Sequence, residues 1–255
     1  MSKKRQPGTD PVDGILIRSL AVRHVSSTLI REHAHDWHQL IYSSEGVMGV
    51  RTPAGEWVVP PNRGVWVPAG AKHSIELSGP VFIQTLYVHP TVQADLPLNC
   101  AAVNISPLLR ELILHAIACG PLDQRRPEQA RLIAFVLDQL RVLPAMALQL
   151  PAITDPRATH LVKWMRAHPE DQSSLKQLAR RADMSVRTLE RLFLHDTGMT
   201  LGKWRQQLRL LHALRLLAHR RSITEVALAV GYDSTSAFIA AFKRILGTTP
   251  GRYFG

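Results

Sequence analysis

Apolar residues follow two different periods along the chain, and the change between them divides the sequence. Up to about residue 90, short apolar runs alternate with turn residues, which is typical of β-strands. These runs are GILI, HQLIYS, VMGVRT, EWVVP, GVWVPA and FIQTLYVH, with a hairpin loop expected between Val47–Thr52 and Glu56–Val59. Many short, closely spaced strands predict a small barrel or sandwich.

Helical spacing of the apolar residues replaces the strand pattern from about Ile105. A first helix is expected to end at Gly120-Pro121, and a second to run from Pro127 to about Leu143. The apolar residues at helical spacing on the first helix are Leu108, Leu109, Leu112, Ile113 and Ile117. On the second helix, the apolar residues expected to face inward are Leu132, Phe135, Val136, Leu137 and Leu140. Prolines at 144, 151 and 156 then predict an irregular linker and a domain boundary near Asp155.

The last hundred residues are predicted to be almost entirely helical and to contain an internal repeat. The expected helices are His160–Ala167, Leu175–Ala182, Val186–Asp196, Leu201–Ala218, Ile223–Val230 and Thr235–Leu246. The repeated segments are SSLKQLARRADMSVRTLERLF and RSITEVALAVGYDSTSAFIAAF.

Each copy of the repeat has the residues of a helix-turn-helix unit. A capping box opens the first helix, a small residue lets the second helix cross closely, a turn residue tolerates the left-handed conformation, and a serine caps the second helix before two apolar anchors. The capping boxes are Ser174 with Gln177 and Ser222 with Glu225, and the small residues are Ala179 and Ala227. The turn residues are Asp183 and Gly231, and the serine caps are Ser185 and Ser234. The apolar anchors are Leu189 with Phe193 and Phe238 with Phe242.

Positive charge is concentrated in the same region. The formal net charge is +11, and residues 156–255 carry +10 of it, with 17 Lys and Arg against 7 Asp and Glu. This distribution indicates a polyanionic partner for the helical region.

The spacing of the two units suits double-stranded DNA. Between them, Leu201–Ala218 would form a rod of roughly 27 Å, which suits recognition helices about one DNA turn, roughly 34 Å, apart. One chain is therefore expected to read two successive major grooves.

The stretch GYDSTSAFIAAFKRILGTTPGRYF resembles the signature of the AraC/XylS family of regulators, in which Gly-aromatic is followed by Ser/Thr, Phe, Phe-Lys/Arg, Gly, Thr-Pro and an aromatic residue. The resemblance covers residues 157–255 and implies control of transcription, as activator or repressor, through binding to promoter DNA. It also implies base contacts from Arg187 and Arg191. Ala240 stands where family members often place a base-reading arginine, so the second unit is expected mainly to hold the DNA backbone.

Candidate DNA contacts follow from the faces that the apolar anchors leave outward. The base-contact candidates are Arg187, Thr188, Glu190 and Arg191 on the first recognition helix and Thr235, Ser236 and Ala240 on the second. The backbone candidates are Ser185, Lys203, Ser234, Lys243 and Arg244. For each arginine a phosphate contact remains the alternative to a base contact.

Two stretches of the front part, HAHDWHQ and PAGAKH, contain a set of histidines. His33 and His35 are expected to alternate on a strand and face the same side, and His73 ends a Pro-x-Gly-x-x-His pattern. The stretches resemble the two motifs of the cupin barrel, which implies a cupin-like fold and a divalent-metal site, although Gln39 replaces the usual Glu. Three histidines could bind zinc, iron or nickel. Alternatively they line an effector pocket with Gln39 and Trp37, and no cofactor is required.

The sequence therefore predicts a two-domain α+β protein with an N-terminal cupin-like β-barrel plus helices and a C-terminal all-α domain. We expect a disordered tail at 1–14, a sensor barrel at 15–98 whose core Trp37, Trp57 and Trp66 fill or whose interior they line, and a helical dimerisation or linker region at 99–155. A DNA-binding domain is expected at 156–255, with helix-turn-helix units at about 174–195 and 222–245. The helices of the middle region could pack on the barrel or form a dimer seam.

The expected partners are double-stranded promoter DNA, RNA polymerase, a small-molecule effector and a second copy of the chain. A cupin enzyme fused to a DNA-binding tail is the first alternative, which the missing Glu disfavours. A DNA-alkylation repair regulator is the second, but it needs a cluster of zinc-binding cysteines and the chain has only Cys100 and Cys119. The few cysteines, the absence of a long apolar run and the lack of a secretory signal predict a cytoplasmic protein at the nucleoid, away from membranes.

Overall fold

The computed structural model describes residues 14–61, 63–92, 96–141 and 149–254. The predicted disordered tail before Gly14, the end of the helix expected to reach Leu143, and the linker up to residue 148 lie outside these residues. The chain forms two compact units, one from 1–53 with 59–149 and the other from 54–58 with 150–255. The second unit thus begins five residues before the boundary expected at Asp155, and it includes a short segment from the front of the sequence.

The first unit is built on an antiparallel sheet, which confirms the predicted sheet-rich front domain. Its strands are β1 (Ile15–His24), β2 (Thr28–His33), β3 (His38–Thr52), β5 (Arg63–Val67), β6 (His73–Val88), β7 (Ala101–Asn104) and β8 (Leu122–Asp123). The main strand order is β7-β5-β3-β6-β1-β8, and β2 also pairs with β6. Strand β4 (Gly55–Val59) lies between β3 and β5 in the chain, and its residues 55–58 belong to the second unit.

Strand alternation gives β3 and β6 two different faces. One face carries Leu40, Tyr42, Leu86 and Val88, which join the main apolar core. Helices α1 (Pro107–Cys119) and α2 (Pro127–Arg141) complete this core with Leu109, Ile113, Ala116, Ile133, Val136, Leu137 and Leu140. The other face carries polar residues that lead to the histidines described below.

Two details of the predicted middle region are wrong. Phe135 was expected to face inward but is 43% exposed, whereas Ile133 is 4% exposed and belongs to the core. The buried positions follow the i, i+3, i+4, i+7 pattern that starts at residue 133, and residue 135 falls between these turns on the outer face. Residues 99–155 are also not purely helical, since they supply β7, β8 and β9 (Gln149–Pro151).

The second unit is almost all helix, as predicted. Its helices are α3 (Pro156–Ala167), α4 (Leu175–Arg181), α5 (Val186–Thr197), α6 (Leu201–Ala218), α7 (Ile223–Ala229), α8 (Thr235–Leu246) and α9 (Pro250–Phe254). The bounds predicted for α6 and α8 are confirmed. Helix α3 starts one turn before the predicted His160, because the Asp155 side chain caps it and Pro156 fits its first position. Helix α9 was not predicted.

A short strand pair adds to the second unit where an irregular linker was expected. Strand β9 pairs with β4, and Glu56 of β4 forms ion pairs with Arg166 of α3 and Arg215 of α6. The Glu56 side chain is only 6% exposed. Trp57, which was expected in the barrel core, is buried but belongs to this unit. No helix of the described residues combines the length and the apolar character needed to cross a membrane.

Candidate nucleic-acid interface and ligand site

Local capping defines the ends of the helices in both helix-turn-helix units. Ser174 opens α4 and Ser222 opens α7, each with the complete reciprocal capping box that the sequence predicts. Ser185 caps α5 through the Thr188 N–H, and Ser234 caps α8 through the Ala237 N–H. The predicted caps are confirmed. The second helices of the two units also end in the same way, which was not predicted. Helices α5 and α8 both stop at a glycine in the left-handed conformation, Gly198 and Gly247.

The turns between the paired helices use the predicted left-handed residues. Asp183 has φ of +53° and Gly231 has φ of +76°. A Cβ at Gly231 would lie 2.6 Å from the carbonyl oxygen of Glu170. The first turn therefore tolerates a short polar side chain, whereas the second requires glycine.

The predicted apolar anchors hold each recognition helix to its unit. Leu189 and Phe193 of α5 and Phe238 and Phe242 of α8 are fully or almost fully buried. The small residues Ala179 and Ala227 are buried as well, which places them where the helices cross. Both recognition helices are therefore fixed through one face only.

On α5 the opposite face is polar and solvent-exposed. Arg187, Glu190 and Arg191 are exposed, and Thr188 is half-buried with its hydroxyl 2.8 Å from that of Ser185. Leu194 is 56% exposed and lies one turn beyond Arg191 on the same side. Leu194 was not among the predicted contact residues, although its spacing of seven residues from Arg187 indicates that both lie on one helix face.

On α8 the outward face is less charged. Ser236, Ala240, Lys243 and Arg244 are exposed, whereas Thr235 is half-buried and its hydroxyl donates to Thr224 Oγ1 at 3.3 Å. The exposed Ala237 lies on the same helix and was not singled out from the sequence. Lys203 is exposed in the first turn of α6. The basic residues of α8 thus sit near its C-terminal end, away from the serine cap.

Guanidinium groups of α6 connect the two helix-turn-helix units. Arg205 donates to the carbonyl oxygens of Ser173 and Asp171 at 2.7 and 2.6 Å. Arg209 donates to those of Pro169 and Asp171 at 3.0 and 2.6 Å. These bonds hold the loop that precedes α4 against the helix that precedes α7.

The same loop contacts the turn of the second unit directly. The Gln172 side chain donates from Nε2 to the carbonyl oxygen of Gly231 at 2.8 Å. The first unit's leading loop therefore touches both α6 and the turn between α7 and α8. We call the hydrogen bonds of Gln172, Arg205 and Arg209 the frame, since they hold the two recognition helices in one relative orientation.

The candidate ligand site of the first unit contains three histidines that the structure brings together. One ring nitrogen from each of His33, His35 and His73 lies within 4.8 Å of those of the other two. His33 and His73 are register partners in β2 and β6, with ring centroids 4.2 Å apart. His35 lies beyond the end of β2, in the short connection to β3, instead of continuing the strand as predicted, because pairing of β2 with β6 ends at His33.

A polar group on the inner face of β3 and β6 adjoins these rings. Gln39 Oε1 lies 2.8 Å from His35 Nε2, while Gln39 Nε2 donates to Thr85 Oγ1 and Tyr87 Oη at 3.1 Å each. Burial lowers the pKa of His73 to about 4 and raises the pKa of Tyr87 to about 12. Both side chains are therefore neutral at physiological pH.

Trp37 lies beside this cluster and not in it. Its ring is buried in edge-to-face contact with His89, at a centroid distance of 4.8 Å, and the Arg18 guanidinium lies over it. Its backbone carbonyl accepts a hydrogen bond from His35. Trp37 thus positions His35 through its main chain, and its indole ring packs elsewhere.

Known proteins resemble this chain in both units. Residues 178–255 match a helix-turn-helix domain family, and residues 21–141 match the AraC-like ligand binding domain family. The HTH-type transcriptional regulator NimR of Escherichia coli K12 is 37% identical over 221 residues, which span 87% of this chain and 81% of NimR. The HTH-type transcriptional regulator RipA of Corynebacterium diphtheriae is 39% identical over 104 residues, or 40% of this chain and 31% of RipA.

A solved structure is similar in sequence to part of this chain. The DNA-binding domain of AdpA, solved in complex with a target DNA, is 38% identical and covers 40% of this chain and 91% of that domain, with a TM-score of 0.37. The likeness to NimR, by contrast, extends over most of both chains. The chain therefore belongs to the AraC family of helix-turn-helix transcription regulators, as a DNA-binding protein with a ligand-binding domain and not the cupin enzyme that was the alternative.

Proposed function

We propose that this regulator reads two successive major grooves of its promoter, with α5 in one groove and α8 in the next. The observation that carries this proposal is the repetition of one cap, turn and anchor arrangement at both ends of α6. Helix α6 has 18 residues, which corresponds to roughly 27 Å. Since successive major grooves on one side of a duplex lie roughly 34 Å apart, the spacing suits simultaneous insertion.

The two recognition helices have different tasks in this proposal. Arg187 and Arg191 of α5 are exposed, unpaired with any carboxylate among the described residues, and four residues apart on one face. Arginine can bind a guanine edge through two hydrogen bonds, and each such pair discriminates by about 1–3 kcal/mol. Helix α8 has Ala240 at its centre and Lys243 and Arg244 at its end, so it mainly holds phosphates.

The remaining partners follow from the first unit and from the role at a promoter. A small effector binds the ligand-binding domain, and RNA polymerase is the partner through which a promoter-bound regulator acts. Because DNA is its target, the protein works in the cytoplasm at the nucleoid. A second copy of the chain pairs through α1 and α2, whose exposed apolar residues include Leu108, Leu114 and Phe135 and whose pairing would raise DNA affinity.

The groove-reading proposal is tested with the full-length protein on DNA fragments selected from a random library. Hydroxyl-radical footprinting and guanine-methylation interference should reveal two contacted major grooves about 10 base pairs apart on one face. Arg191→Ala should weaken binding to the selected site by about tenfold or more while changing binding to random DNA much less. Its guanine interference should disappear in one groove only.

Arg51→Ala is the matched control, because Arg51 is exposed on β3 of the first unit, outside α1 and α2, and pairs with Glu76. This variant should bind both DNAs as the parent does. Equal losses of Arg191→Ala on selected and random DNA would assign Arg191 to phosphate contact. Protection of a single groove would refute reading by two units.

A further inference from the structure

We propose that the first unit binds a divalent transition-metal ion through Nε2 of His33, His35 and His73 and through Oε1 of Gln39. Within the described residues this is the one group of three or more potential His, Cys, Asp or Glu ligands close enough to share an ion. The proposal concerns the ligand domain and is independent of how the second unit reads DNA. Its support comes from hydrogen bonding, burial and donor chemistry.

All three histidines present the same ring nitrogen to the cluster. Nδ1 of His33, His35 and His73 lies 2.9, 2.6 and 2.9 Å from a backbone carbonyl oxygen, of Arg31, Trp37 and Ala71 respectively. A carbonyl oxygen only accepts, so each Nδ1 carries a hydrogen and each Nε2 of a neutral ring keeps its lone pair. Histidine ligands of protein-bound metals commonly have this arrangement, with the distal N–H donated to a carbonyl.

His73 supplies an observation that hydrogen bonding inside the protein does not explain. It is 0% exposed, and its Nε2 has no hydrogen-bond partner among the described residues. Burying an unsatisfied lone pair is costly. A cation between the three rings would satisfy this atom.

Gln39 supplies a second such observation. Its amide N–H groups donate to Thr85 Oγ1 and Tyr87 Oη, which directs Oε1 at His35 Nε2 from 2.8 Å. With His35 Nδ1 holding the hydrogen, two lone pairs face each other at this distance. A metal ion bound to both atoms converts that repulsion into coordination.

The donor set selects the class of ion. Three imidazoles and an amide oxygen are neutral ligands of intermediate softness, which suit Zn²⁺, Co²⁺, Ni²⁺ or Cu²⁺ better than Mg²⁺ or Ca²⁺. Bonds of about 2.0–2.1 Å place ligand atoms roughly 3.0–3.4 Å apart. The three ring nitrogens lie within 4.8 Å of one another. Small rotations of the half-buried His33 and His35 rings would therefore bring all three within bonding distance of one ion. The bound ion keeps its double charge, which favours an anionic group in any open position.

The experiment uses untagged full-length protein, treated with a chelator and titrated with Co²⁺ in the absence of DNA. We expect about one Co²⁺ per chain, visible absorption bands of a nitrogen-ligated ion, displacement by Zn²⁺ and a rise in the melting temperature of the first unit. His73→Ala should weaken binding by about tenfold or more, since even loss of a supporting hydrogen bond costs metal sites 10–100-fold.

His33→Asn repeats the test at a less buried ligand, in case His73→Ala does not fold. His24→Asn is the matched control, because His24 ends β1 and is outside the cluster, and it should bind Co²⁺ as the parent does. A Co²⁺ spectrum that stays that of the hydrated ion would overturn the proposal. Equal Co²⁺ binding by the parent, His33→Asn and His73→Ala would overturn it as well.

Discussion

At the scale of single residues, Gly231 is the position where one added methyl group has the clearest effect. Its φ of +76° is unfavourable for other residues, and a Cβ would meet the Glu170 carbonyl oxygen at 2.6 Å. We expect Gly231→Ala to lower the free energy of unfolding of the second unit by about 1–3 kcal/mol. Chemical denaturation followed by far-UV circular dichroism measures the change.

Gly202→Ala is the control for this substitution. Gly202 is exposed in α6, its φ is not positive, and an added Cβ would meet nothing within 4 Å. Alanine is favoured over glycine in a helix, so this variant should keep or slightly increase stability. A Gly231→Ala protein as stable as Gly202→Ala would contradict the close approach of the turn to Glu170.

Residue-level features of the second unit were largely predictable because they are local. A capping box, a turn residue and an apolar anchor depend on neighbours three or four positions away, and Ser174, Ser222 and Phe238 all take the predicted roles. The misplacement of Phe135 has the opposite origin. Which face of an amphipathic helix is buried depends on the sheet that it covers, and the apolar residues of α2 allow more than one face.

At the scale of elements, α6 determines how the two helix-turn-helix units are oriented. Arg209 connects it to the carbonyls of Pro169 and Asp171. We expect Arg209→Ala to loosen the relative orientation of α5 and α8. The protein should then discriminate less against a DNA site in which one base pair is inserted between the stretches (half-sites) contacted by α5 and by α8. The measured quantity is the ratio of the dissociation constants for the inserted and original sites, which should fall several-fold.

Arg187→Ala serves as the reference for this ratio. It removes a proposed DNA contact without touching the frame, so it should weaken binding to both sites by the same factor and leave the ratio unchanged. A ratio that is the same for the parent and for Arg209→Ala would show that the loop before α4 does not set the groove spacing.

Elements that depend on partners distant in the sequence were not predicted correctly. The start of α6 follows from the Thr200 cap, and its length follows from the helical period of its apolar residues. Strand β9, in contrast, has three residues that include a proline, and only its pairing with β4 makes it a strand. The position of His35 outside β2 was missed for a similar reason, since the end of β2 is set by pairing with β6.

At the scale of the whole molecule, Glu56 ties a front segment of the sequence to the second unit. Its buried carboxylate pairs with Arg166 and Arg215. Because the buried carboxylate neutralises two partly buried guanidinium groups, Glu56→Ala should lower the free energy of unfolding of this unit by about 3 kcal/mol, at the lower end for a broken buried ion pair. Hydrogen exchange of the α6 amides reports that change.

Glu45→Ala is the matched control, because Glu45 pairs with Arg23 on an exposed surface. Exposed ion pairs add little to stability, so this variant should exchange its α6 amides at the parent's rate. If Glu56→Ala also left that rate unchanged, the pairs of Glu56 with α3 and α6 would not support the unit.

The composition of the second unit also bears on how such a chain is made and inherited. Residues 54–58 leave the ribosome long before residues 150–254, so the unit cannot be completed until the last helices are synthesised. A gene fusion that transferred only the tail to another sensor would leave Glu56 behind and deprive Arg166 and Arg215 of its carboxylate. Such a hybrid would therefore have two neighbouring guanidinium groups, on α3 and α6, without the acidic side chain that neutralises them here.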